Sequence, residues 1–222
     1  MLNVEYELSE KISDFLHAAN ISSCDDSWDV RHKLVSAGFF KEDTDYYLGD
    51  GASKICIVFN NLPFVIKWSH GYYDDEAMEE VTIYKDAKEK RLDKFFPETA
   101  LFERINNINF VIQEKIDMSV YDLNGRDSYE KLKQKMTSIS RNVPAMLVRK
   151  IRDDLNKDTG SCSRQIDSLW IQMSVILYGK RAVRALCDFT SLHKINDLHA
   201  CNVGYLNNRP VILDFSGYHR DD

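Results

Sequence analysis

The chain opens with a helical pattern. Leu8, Ile12, Phe15 and Leu16 recur at the three- and four-residue spacing that lines one face of a helix with apolar side chains. Ser9 precedes a polar run, where a hydroxyl can cap. A second short helix is predicted over Trp28–Ala37, stopped by Gly38, since glycine readily takes the left-handed backbone that ends helices. Residues 1–45 therefore read as a helical extension that covers the main domain and carries no chemistry.

From Tyr46 the period shortens. Tyr46-Tyr47-Leu48, Ile55 to Phe59 and Phe64 to Trp68 are β-branched or aromatic runs, and Asn60-Asn61 between the last two signals a hairpin. Asp74 to Lys90, rich in Ala, Glu, Met and Lys, predicts a helix. Leu101-Phe102 and Asn109 to Ile116 add two strands around Asn106-Asn107, giving a sheet of about five strands with one helix inserted. Asp117 to Ser163 is charged and irregular, with helical spacing over Lys131–Ile139 and Met146–Leu155 and a loop at Thr159-Gly160-Ser161. Stronger helices follow over Ser168–Tyr178 and Arg181–His193. A closing hairpin then runs from Val203–Leu206 through Asn207-Asn208 to Val211–Leu213. Strands first and helices afterwards predict an α+β chain in two lobes rather than a doubly wound sheet. Their limits are 46–113 for the strand-rich lobe and 114–222 for the helical one.

Composition narrows the functions. The chain has 222 residues and 44% hydrophobic content, enough for a packed core. Lys and Arg number 29 against 35 Asp and Glu, a net charge of −6 with no basic stripe, which argues against binding nucleic acid by phosphate neutralisation. No 18-residue apolar run offers a membrane span, and Met1–Glu10 carries acids where a secretory signal needs an apolar stretch. Five cysteines (Cys24, Cys56, Cys162, Cys187 and Cys201) form an odd set without metal-site spacing, as expected of reduced thiols in a cytoplasmic protein.

Four features carry candidate chemistry. Gly49-Asp50-Gly51-Ala52-Ser53-Lys54 lies between two strands; it is either a glycine-bearing hairpin or a turn whose backbone can approach phosphates. Lys67 sits in an apolar strand, which costs desolvation unless it snorkels to water or meets an anion. The helix that follows offers one: Glu80 shares a face with Ala77, Ile83, Tyr84 and Ala87, with Glu76 as the second choice. Asp197-Leu198-His199-Ala200-Cys201-Asn202 follows a helix, and Asp214-Phe215-Ser216-Gly217 ends the last strand. The intervening hairpin should gather Asp197, Asn202 and Asp214 at one end, as oxygen ligands suited to Mg²⁺ or as solvated turn residues.

Together, Gly49-x-Gly51, Lys67, Glu80, Asp197-x4-Asn202 and Asp214-Phe215 resemble the protein-kinase-like superfamily. The wording around Asp197 is most similar to its aminoglycoside-phosphotransferase and choline-kinase-like branch, and to small kinase-like proteins of bacteriophages. The resemblance covers about residues 46–222. It implies a two-lobed fold that binds ATP and Mg²⁺. Lys67, oriented by Glu80, would hold phosphates under a loop of Gly49, Gly51 and Ser53. Gln113, Glu114 and Ile116 would form the hinge that meets adenine. Asn202 and Asp214 would hold the metal, Asp197 would be the catalytic base, and His199 would stand near the transferred group.

The pattern also departs from the family. Ile195-Asn196 replaces the usual His-Arg, Lys54 stands for the third loop glycine, and Ser216 follows Asp214-Phe215. The sequence stops at Asp222, eight residues past Asp214, so a substrate platform is expected from 117–163 or not at all. The leading expectation is phosphoryl transfer to a hydroxyl on an unknown acceptor, a host protein among the candidates. A kinase-like regulatory module that binds a partner protein is the alternative, and nucleotidyl transfer a third.

Overall fold

In a computed structural model of the chain, the described residues are 5–50, 53–70, 75–116, 143–155, 166, 168–195, 198 and 202–216. They form a mixed α+β fold divided into two units, residues 1–82 with 98–115 and residues 83–97 with 116–222.

The first unit is built on five antiparallel strands: β1 (Tyr46–Asp50), β2 (Lys54–Phe59), β3 (Phe64–Ser69), β4 (Thr99–Ile105) and β5 (Ile108–Glu114). Their order is β1-β2-β3-β5-β4. Asn106 and Asn107 turn the β4–β5 hairpin with φ of 50° and 65°, the paired left-handed conformation that asparagine tolerates and tight hairpins need. Strand alternation gives the sheet two faces. Ile55, Ile57, Phe59, Phe64, Ile66, Trp68, Phe110 and Ile112 belong to a single buried apolar cluster.

Helices α1 (Tyr6–Ala19) and α2 (Ser27–Ala37) share that cluster, so the predicted helical cover is present and belongs to the first unit. Helix α1 buries Ile12, Phe15, Leu16 and Ala19, one stripe at helical spacing. The Phe15 ring meets Phe40 and Tyr46 edge-on at 5.0 and 5.8 Å between centroids. The cap expected at Ser9 is corrected: α1 begins three residues earlier, and the Ser9 amide donates to Glu5 O at 2.9 Å as an ordinary helical bond. Asp26 caps α2, its Oδ1 accepting from the amides of Trp28 and Asp29 at 2.8 and 2.9 Å. Gly38 ends α2 with φ of 76°.

Helix α3 (Glu76–Glu89) begins in the first unit, where Ala77 and Val81 cluster with Val111 of β5. Its residues from Ile83 onward belong to the second unit. There, Ile83 and Ala87 join a core with Phe95, Phe96, Trp170, Met173, Leu186 and Phe215. This unit also contains α4 (Ala145–Leu155), α5 (Ser168–Leu192) and the hairpin of β6 (Val203–Leu206) and β7 (Arg209–Ile212). Asn207 and Asn208, with φ of 50° and 62°, repeat the asparagine turn. Among the described residues no helix is long and apolar enough to cross a membrane. The helix expected over Lys131–Ile139 and the loop at Thr159-Gly160-Ser161 lie outside the described residues.

Helix α5 is broken where the sequence divides it. Gly179 has φ 81° and ψ 156°, a backbone open to glycine alone without strain. Gly179→Ala should therefore lower the unfolding free energy in urea by about 1–3 kcal/mol. An unchanged midpoint and slope would show that the break does not depend on glycine.

Candidate functional site around Lys67 and Glu80

Cross-strand partners in an antiparallel sheet share a face. Gly49 of β1 opposes Cys56 of β2, Cys56 opposes Lys67 of β3, and Lys67 opposes Val111 of β5. Two residues along, Lys54 opposes Ser69; two residues the other way, Gln113 lies between Val65 and Thr99. One face of the sheet thus collects two lysines, a glutamine and a threonine, opposite the apolar face that α1 and α2 cover.

Helix α3 supplies the counter-charges. Glu80 is fully buried and forms a direct ion pair with Lys67, itself 7% exposed. The Gln113 amide braces that pair. Lys67 Nζ donates to Gln113 Oε1 at 3.1 Å, and Gln113 Nε2 donates to Glu80 Oε2 at 3.2 Å and to Thr99 Oγ1 at 2.9 Å. The other oxygen of Glu80 accepts from Lys54 Nζ at 3.0 Å. One helical turn earlier, Glu76 Oε2 lies 3.5 Å from Lys54 Nζ and accepts from Ser53 Oγ at 2.5 Å. The start of α3 is fixed to β3 by the Ala77 amide, which donates to Ser69 Oγ at 2.9 Å.

The environment favours ionic contacts over thiol chemistry. Burial pushes the Cys56 thiol up to about 12; Glu80 adds to the rise and Lys67 opposes it. Cys56 lies opposite Lys67 in the β2–β3 register.

The helix-face reasoning selected the acid that contacts Lys67: Glu80 is its partner, and Glu76 serves Ser53 and Lys54. The side chain of Gln113, a residue of the expected hinge, lies in the buried network. Glu114 ties the end of β5 to the residue that precedes β4, its Oε2 accepting from the Glu98 amide at 2.7 Å. Ile116 is half-buried and closes that described stretch. Lys54 escaped the sequence reading as a site residue because it was weighed only as a substitute for a loop glycine. Alternation puts Lys54 on the same face as Cys56, but only the β2–β3 register puts that face with Lys67.

In the second unit, the β6–β7 hairpin pairs Val203 with Ile212, and the Leu213 amide donates to Asn202 O at 2.9 Å. This places Asn202 and Asp214 at the open end of one hairpin. Ser216 Oγ donates to Asp214 Oδ1 at 3.4 Å. The next residue, Phe215, is fully buried with its ring 4.9 Å from that of Phe96, which anchors the chain beside Asp214. Asp197, His199 and Gly51 lie outside the described residues. Among the described residues no three His, Cys, Asp or Glu side chains gather as a metal site.

The chain matches no family model, no curated protein and no solved structure. A functional reading therefore rests on its own residues.

Proposed function

We propose that this chain is an ATP- and Mg²⁺-dependent phosphotransferase of compact, kinase-like form, transferring a γ-phosphate to a hydroxyl of a protein or small molecule in the cytoplasm. In this reading the two units are the two lobes. The observation that carries it is the buried Lys67–Glu80 pair, braced by Gln113 on the sheet face that also carries Gly49 and Lys54. A buried ion pair is a poor stabiliser, because desolvating two charges cancels most of their attraction and an apolar pair of the same volume does as well. Its presence is better explained by work on a ligand. A lysine held by a carboxylate and an amide is oriented before an anion arrives, which lowers the cost of binding.

The residues suit Mg-ATP. Gly49, in line with Cys56 and Lys67, leaves that end of the row without a side chain; among the described residues a Cβ there would meet Cys56 O alone, at 4.0 Å. Asn202 and Asp214 are oxygen donors at one hairpin end, as a hard cation requires. Bound Mg-ATP supplies the phosphoryl group. In this reading Lys67 would neutralise its charge, Asn202 and Asp214 would hold the metal, and Asp197 would accept the acceptor's hydroxyl proton, the resemblance adding His199 to that step.

Binding can be tested first by heat. Mg-ATP at about 100 times its dissociation constant should stabilise the fold by about 2.7 kcal/mol, read as a raised melting temperature. Lys67→Met should lose that rise. No shift of the unaltered protein at millimolar Mg-ATP would count against the proposal.

A further inference from the structure

Two ammoniums converge on one carboxylate. Lys67 pairs with Oε2 of Glu80 and Lys54 with Oε1, and the two lysine side chains are only 9% and 11% exposed. Glu80 thus already compensates Lys67 before Lys54 is counted. Lys54 has a second acceptor in Glu76, whose Oε2 also takes the Ser53 hydroxyl. That oxygen occupies a donor pair, one ammonium and one hydroxyl, of the kind that binds a phosphate oxygen. Lys54 opens β2, and Ser53 O accepts from the His70 amide at 3.0 Å, which fixes Ser53 close to the end of β3.

We infer that Lys54 is a second phosphate-binding cation beside Lys67, and that Glu76 occupies its place until a polyphosphate arrives. This deepens the nucleotide reading and rests on it for the identity of the ligand, but not for the phosphate chemistry. The exchange is charge for charge: a phosphate oxygen replaces the Glu76 carboxylate at Ser53 Oγ and Lys54 Nζ, and Lys67 keeps Glu80.

Calorimetric titration with sodium tripolyphosphate, and separately with Mg-ATP, tests this on the full chain. Lys54→Met should weaken tripolyphosphate binding by about tenfold or more, the cost of one charged hydrogen bond, and Lys54→Arg should largely restore it. Glu76→Gln should tighten binding, because the competing charge is gone. Unaltered tripolyphosphate affinity in Lys54→Met would overturn the assignment. So would equal losses of affinity and melting temperature in Lys54→Met and Lys54→Arg, the mark of a purely structural lysine. If the unaltered protein binds tripolyphosphate but not Mg-ATP, the nucleotide reading falls and the Lys54 assignment stands. If it binds neither, both fall.

Discussion

Glu80→Ala is expected to destabilise the protein by about 3–5 kcal/mol, the range seen when one partner of a buried ion pair is removed. The cause is the charge left behind. Lys67 and Lys54 both lean on this carboxylate, and Gln113 donates to it as well, so its loss takes this counter-charge from the buried Lys67 and leaves Lys54 with Glu76. Urea unfolding of the full chain measures the effect. Three companion variants separate charge from packing. Glu80→Gln keeps the shape and part of the hydrogen bonding and should cost less. Glu76→Ala, at the partly exposed edge of the network, should cost less again. Lys67→Met combined with Glu80→Leu removes the most buried pair and should recover part of the stability, although Lys54 then loses Glu80 and keeps Glu76. A loss in Glu80→Ala no larger than in Glu76→Ala would show that the network is not the buried electrostatic unit described here.

The largest effect on rate is expected at Asp197. Removing a general base typically lowers turnover by a factor of about 10² to 10⁴, so Asp197→Ala should retain Mg-ATP binding while losing most of its activity. Asp214→Ala should behave differently. Without the metal ligand the triphosphate charge lacks its counter-ion, and Mg²⁺-dependent binding should weaken along with turnover. Paired titration and steady-state kinetics on the two variants distinguish the roles. Equal loss of ATP affinity in both would contradict the division. Full turnover in Asp197→Ala with none in Asp214→Ala would remove the base assignment and leave the metal assignment intact.

Much of the fold was legible because its signals are local. The β-branched runs of the five strands, the Asn106-Asn107 and Asn207-Asn208 turns and Gly38 act through the preferences of single residues or pairs. The break at Gly179 was visible for the same reason, since the apolar spacing lapses between Tyr178 and Arg181. The start of α1 was misplaced because Glu5 offers no side-chain cap, leaving only the less decisive onset of apolar spacing. Glu80 could be chosen over Glu76 because a helix face is an angular property of sequence. The rest of the network depends on register across strands distant in sequence. That Gln113 lies beside Lys67, and that Lys54 reaches the same carboxylate, follows from β2, β3 and β5 being aligned as they are. No local pattern encodes that alignment.

The central claim is phosphoryl transfer, and one measurement addresses it most directly. The protein is incubated with γ-labelled ATP, Mg²⁺ and a host lysate, beside the Asp214→Ala variant under the same conditions. A labelled acceptor formed by the first and not by the second is the predicted result. Tight Mg-ATP binding by the unaltered protein with no label transferred to any lysate component would contradict it, and would favour a nucleotide-binding regulatory module instead.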